Sequence, residues 1–190
     1  MSTSRKVAFL DRDGVINLDF GYVYQWENFK LTYNVTEGLK LLQNLGYELV
    51  IVTNQSGIAR GYYSLEQYLE LTEKYRKYFL ENDVRFLEIL FCPHHPEGKI
   101  REYAYVCNCR KPDVGMISQL MEKYPIDLSK SILIGDKATD LELAENAGIG
   151  NAFLVGSKET EFRSFSLHKV FPTLYDVANG IKFENIAGKV

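Results

Sequence analysis

Two carboxylates one residue apart, Asp11 and Asp13, close the short apolar run Val7-Ala8-Phe9-Leu10, and Gly14 follows directly. So short an apolar run suits a strand buried on both faces of a parallel sheet. Open α/β sheets take their ligands beyond the carboxyl ends of such strands. Along an extended chain residues i and i+2 face the same side, so the spacing predicts two carboxylates crowded at one site. A hard cation relieves that repulsion, and magnesium accepts one or two carboxylates together with water and substrate phosphate. Aspartate and glycine after a strand also make ordinary solvated turns, so the pair needs company to define a site.

That company follows. Val50 to Asn54 reads as a second buried strand ending at the Thr53 hydroxyl, and Ser131 to Asp136 as another ending in a carboxylate. Between them a Cys-Arg-Lys-Pro segment carries Arg110 and Lys111. A second group lies nearby, Cys-x-His at 92 and 94 and Cys-x-Cys at 107 and 109, which uses all three cysteines of the chain. Three thiolates and one imidazole fill a tetrahedral zinc shell with no open position, so the ion would be structural. On spacing alone His95 is an alternative to His94. Cysteines so clustered suit a metal site in a reducing compartment better than a disulfide scaffold. His168 stands apart and is expected at the surface.

These groups need elements to hold them. Thr36 to Leu45 has apolar residues at helical spacing with Gly46 as its stop, and Ser64 with Gln67 forms a capping box for a helix running towards Leu80. Phe86 to Phe91 returns as a strand. Pro112 is read as the start of a helix through Met116 and Leu120, and Thr139 with Glu142 as the cap of another that ends before Gly148. Asn151 to Val155 makes a fifth strand. Alternating strands and helices imply an α/β fold, a Rossmann-like, doubly wound and mainly parallel sheet. After Gly156 the pattern weakens, with charge at Lys158 to Arg163, a short helix at Pro172 to Ala178, and no motif.

The ordered Asp, Thr, Lys, Asp set resembles the four motifs of the haloacid dehalogenase-like phosphatases, from Val7 to about Gly156. Within them, Thr53 to Gly61, Cys92 to Gly98, Cys107 to Pro112 and Gly135 to Asp140 are similar to the heptose bisphosphate phosphatases, with the histidinol-phosphate phosphatases near relatives. The resemblance implies Asp11 as nucleophile, Asp13 as acid and base, and Thr53 and Lys111 on the transferring phosphoryl group. It implies magnesium on Asp11, Asp136 and the Asp13 backbone carbonyl, with Asp140 outside the ligand set, and zinc on Cys92, His94, Cys107 and Cys109. Asp13 would need neighbours that raise its pKa above the ordinary ~3.9. Short loops would choose a sugar bisphosphate, through Asp19, Gly21, Tyr22, Asn54, Gln55, Ser56, Arg110 and Lys137, with Arg110 and Lys137 left for the distal phosphate.

At 190 residues one domain (1–190) is expected, with a zinc loop at about 92–109 and no large cap. A net charge of −3 offers no field to recruit nucleic acid or an anionic membrane surface. No apolar stretch approaches the ~20 residues of a membrane span, so a cytoplasmic monomer acting on a small molecule is expected. A receiver domain from a signalling relay would share magnesium, Asp, Thr and Lys. Its acceptor would follow the third strand, where this chain has Phe91-Cys92-Pro93-His94.

Overall fold

The computed structural model of the protein describes residues 4–156 and 168–187. Its centre is β1, Val7–Leu10, flanked in parallel by β2, Glu48–Asn54, and β4, Ile132–Gly135. Outside them run β3, Phe86–Cys92, on one side and β5, Asn151–Val155, then β6, His168–Phe171, on the other. The order β3-β2-β1-β4-β5-β6 is parallel at every pairing.

Period-two alternation sorts each strand between two cores. Ala8, Leu10, Leu49, Ile51, Ile132 and Ile134 face one layer, while Val7, Phe9, Val50, Val52 and Leu133 face the other. The first layer holds α1, Val35–Asn44, α3, Leu65–Glu81, and α6, Leu174–Ala187, through buried residues such as Leu39, Leu42, Tyr75, Phe79 and Val177. The second holds α4, Gly115–Lys123, and α5, Ala138–Ala147, through Met116, Leu120, Leu141 and Ala144. Between α1 and α3 a single turn of helix, α2, spans Gly57–Arg60. The connections at residues 11–34 and 93–114 contain no strand or α-helix, so no folded cap is inserted in them.

The capping box forms as its residues predict: the Ser64 side chain accepts from Gln67 N and the Gln67 side chain accepts from Ser64 N. Two other helix starts differ. The helix assigned to Pro112 begins at Gly115, whose N–H donates to Asn108 O at 2.8 Å, so the cysteine loop holds the intervening residues out of the helix. The Thr139–Glu142 cap is replaced by an earlier start, because the Asp140 carboxylate reaches back to accept from Asp136 N and Lys137 N at 3.2 and 3.1 Å.

The tail contributes more than a short helix. It supplies β6 and the 14-residue α6, which packs along α1 through Leu174, Val177, Ala178 and Ile181. The charges at Lys158 to Arg163 and the His168 side chain lie outside the described residues. Among the described residues no helix is long and apolar enough to cross a membrane.

Candidate active site

The functional side chains gather at the carboxyl edge of the three central strands. Asp11 follows β1, Thr53 is the penultimate residue of β2 and Asp136 follows β4, while Lys111 enters from the β3–α4 connection. Lys111 is buried, and its ammonium meets Asp11 Oδ1 at 3.0 Å, Asp140 Oδ1 at 2.6 Å and Val52 O at 3.0 Å. Three protons with three acceptors leave it no spare donor, so Lys111 aims the Asp11 carboxylate. Burial alone would lower the lysine's pKa, but Asp11 and Asp140 outweigh it and raise it. Asn54 fixes the same lysine from behind, accepting from Lys111 N at 3.0 Å and donating to Lys111 O at 3.1 Å.

Asp13 corrects the expectation of a raised pKa through the bonds that its carboxylate makes. It is gripped by Arg12 Nη2 at 2.8 Å to both oxygens, by Asn17 Nδ2 at 2.9 Å and by Gln55 Nε2 at 3.1 Å. Its pKa is therefore lowered: burial pushes it up, but the Arg12 charge and these donors prevail. Arg12 was invisible as a functional residue in sequence, where a cation between two acids reads as surface charge. Here it is fully buried, with Nη2 also donating to Val23 O at 2.7 Å and its guanidinium 5.8 Å from the Tyr68 ring centroid.

Gln55 joins the acid to the hydroxyl. Its Nε2 donates to Thr53 Oγ1 at 2.8 Å as well as to Asp13, and its Oε1 accepts from Tyr63 OH at 2.6 Å. Thr53 thus keeps its own proton for an incoming oxygen. Asn54 and Gln55, expected at the substrate, both hydrogen-bond to protein groups of the site. Tyr63 carried no sequence signal.

The residues fit a divalent cation. Asp11, Asp136 and Asp140 each offer an oxygen within 4.8 Å of the others. Both Asp140 oxygens are already used, by Lys111 and by the two N–H groups at the start of α5, whereas Asp136 Oδ1 is buried without a hydrogen bond. Burial and then the Asp11 charge push Asp136 up to about 7, and burial likewise raises Asp11. A bound cation would reverse that strain. Gly14 makes the room: its φ is +86° and a Cβ there would lie 2.3 Å from Asp136 Oδ2.

Around this centre the loop residues are more open. Asp19 accepts from Lys137 Nζ at 3.2 Å and from Gly21 N at 2.9 Å, and Lys137 also lies 3.4 Å from Asp136 Oδ1. Gly21 and Tyr22 both take positive φ, and the exposed Tyr22 ring meets Tyr62 edge-on at 4.5 Å. Ser56 precedes α2. Arg110 forms no ion pair among the described residues, and its Nη1 donates to His94 O at 3.4 Å.

Cys92, His94, Cys107 and Cys109 converge, each with a ligand atom within 4.8 Å of the rest. Cys92 Sγ is 3.5 Å from Cys107 Sγ, and Cys109 Sγ is 3.3 Å from Cys107 Sγ and 3.2 Å from His94 Nδ1. The hydrogen bond between Cys92 and Cys109 lowers the pKa of the Cys109 thiol and raises that of Cys92, so the two sulfurs share a proton. His95 turns elsewhere, with Nε2 2.9 Å from Arg60 Nη2 and Nδ1 accepting from Glu97 N.

A buried carboxylate beside a lysine, a threonine and a second acid, on a doubly wound parallel sheet, defines a phosphatase of the haloacid dehalogenase-like class. A chain described as a HAD-like phosphatase, from Mesorhizobium loti, superposes with a TM-score of 0.83 at 27% identity, covering 95% of this chain and 87% of that one. A D,D-heptose 1,7-bisphosphate phosphatase from B. bronchiseptica, solved with magnesium and phosphate, gives 0.81 at 27%, covering 94% and 99%. The family described as polynucleotide kinase 3 phosphatase matches residues 6–164. In sequence, a D-glycero-alpha-D-manno-heptose-1,7-bisphosphate 7-phosphatase of Photorhabdus laumondii is 52% identical over 79% of this chain and 82% of its own length. The beta-named enzyme of Escherichia coli K12 is 39% identical over 96% of both. The chain belongs to this family of phosphatases, among the heptose-1,7-bisphosphate 7-phosphatases.

Proposed function

We propose that the protein removes the C7 phosphate of D-glycero-D-manno-heptose 1,7-bisphosphate, in the supply of ADP- or GDP-heptose for surface polysaccharide. The observation that carries the reading is the buried contact of Lys111 with Asp11, which fixes one oxygen of that carboxylate just past the end of β1 and offsets part of its charge. Phosphate monoesters resist attack because an anion must approach an anion, so positioning and neutralisation supply most of the rate.

Asp11 would attack phosphorus as the bond to the C7 oxygen breaks, giving an aspartyl-phosphate, and Asp13 would protonate the departing alkoxide. Water would then attack the same phosphorus as Asp13 takes its proton, releasing inorganic phosphate and restoring Asp11. Asp13 starts ionised against Arg12; as the phosphate arrives, its like charge raises the carboxylate's proton affinity, and Asp13 would take up from solvent the proton that it then donates, ending the cycle protonated again by the attacking water. The Thr53 hydroxyl would donate to a phosphoryl oxygen. Magnesium, held by the Asp11 and Asp136 carboxylates and the Asp13 backbone carbonyl, would supply positive charge that screens nucleophile from phosphate. Asp140 would keep Lys111 and the start of α5 in place. Zinc on Cys92, His94, Cys107 and Cys109 would be structural, fixing the loop that presents Arg110 and Lys111.

Arg110, which pairs with no acid among the described residues, would serve the distal phosphate, whereas Lys137 is shared with Asp19 and Asp136. Every group invoked comes from this one chain, so a cytoplasmic monomer would suffice. Phosphate release from both anomers of the heptose bisphosphate, histidinol phosphate and fructose 1,6-bisphosphate tests the assignment. A heptose bisphosphate should lead by kcat/KM, and Asp11→Asn should abolish its turnover without loss of fold. A preference for histidinol phosphate would overturn the substrate, and turnover by Asp11→Asn would overturn the covalent step.

A further inference from the structure

The His94 ring lies between two unlike neighbours. Its Nδ1 edge faces the sulfurs, 3.2 Å from Cys109 Sγ and 3.7 Å from Cys92 Sγ. Its Nε2 edge points the other way and meets the Tyr105 hydroxyl at 2.6 Å. The two rings also pack, with centroids 4.3 Å apart at 39°. Tyr105 stands two residues before Cys107 and remains 48% exposed, so burial of its own ring does not explain this contact.

We propose that Tyr105 is a positioning residue for the zinc ligand His94: it selects Nδ1 as the ligating atom and slows loss of the metal. The proposal rests on zinc occupying the cysteine cluster. With Nδ1 given to the metal, Nε2 carries the ring proton and donates it to the Tyr105 oxygen, which fixes both the tautomer and the ring plane. An imidazole held by one bond can swing away from an ion; held at both edges, it must break a second contact first. Because the same loop leads on through Cys109 to Arg110 and Lys111, tighter zinc also means a firmer site.

Zinc-loaded protein challenged with excess chromophoric chelator gives the transfer rate directly, with no reference to turnover. Partners of this kind typically set metal affinity by ~10–100-fold. Tyr105→Phe, which keeps the ring packing and removes the oxygen, should therefore transfer its zinc faster by roughly ten- to a hundredfold. Tyr105→Leu should be no slower than the phenylalanine variant. Nitrogen NMR of the histidine rings should find Nδ1 of His94 metal-bound and Nε2 protonated in the wild type. A normal zinc load with an unchanged transfer rate in Tyr105→Phe, or zinc on Nε2, overturns the role of Tyr105 alone. Wild-type protein purified without zinc overturns the metal reading beneath it and the proposal with it.

Discussion

Arg12 places a full positive charge where no water reaches it, and the carboxylate of Asp13 is its compensating charge. Breaking a buried pair by removing one partner costs about 3–5 kcal/mol, because the other charge stays behind. Arg12→Met should thus lower unfolding free energy by that order in urea titrations; a loss below about 1 kcal/mol would mean that Asn17 and Gln55 satisfy Asp13 unaided. Arg110 makes the opposite prediction. Its guanidinium pairs with no acid among the described residues, so Arg110→Ala should leave stability near wild type and act on substrate choice. A charge-assisted hydrogen bond is worth ~1.5–3 kcal/mol, so kcat/KM for the heptose bisphosphate should fall roughly tenfold to a hundredfold. For histidinol phosphate, which lacks a distal phosphate, the change should be much smaller. Equal losses on both would assign Arg110 to the reacting group.

At the scale of elements, the strands of this protein and the capped start of α3 are local statements, whereas the starts of α4 and α5 are not. β1, β2 and β4 announce themselves as apolar runs because both faces of each are covered. The start of α5 depends on Asp140 serving Lys111 and two backbone N–H groups at once, a demand that arises only when β4 and the lysine loop meet. The packing of α6 on α1 is likewise non-local, and Gly38 marks how close it is. A Cβ there would lie 2.6 Å from Leu174 Cδ2 and 3.0 Å from the Tyr175 backbone. Gly38→Val should overpack this contact and destabilise by about 1–3 kcal/mol, while kcat of the folded variant is retained because neither helix carries a site residue. A thermal midpoint equal to wild type would show that α6 moves aside at no cost.

Over the whole molecule, rigidity is unevenly shared. The sheet is held by two cores, whereas the cysteine loop between β3 and α4 has no strand or helix of its own and is tied down by Asn54, by backbone bonds to Ala59 and by its converging cysteine and histidine side chains. Stripping zinc should therefore speed amide exchange across residues 93–110 and lower activity while β1, β2 and β4 stay protected, in keeping with local opening where buried contacts are few. Exchange that rises equally everywhere would make the metal part of the global fold. The sequence by itself determined the parallel α/β class, the Asp, Thr, Lys, Asp order at strand ends and in the loop after β3, and the clustering of three cysteines with a histidine, since each is written in residue type and short spacing. Only the tertiary structure decided that Asp13 is held ionised by a buried Arg12, that Gln55 and Asn54 serve protein partners, and that His94 and not His95 faces the sulfurs. Burial, side-chain direction and charge compensation depend on segments far apart in the chain, and those meet only once the sheet has formed.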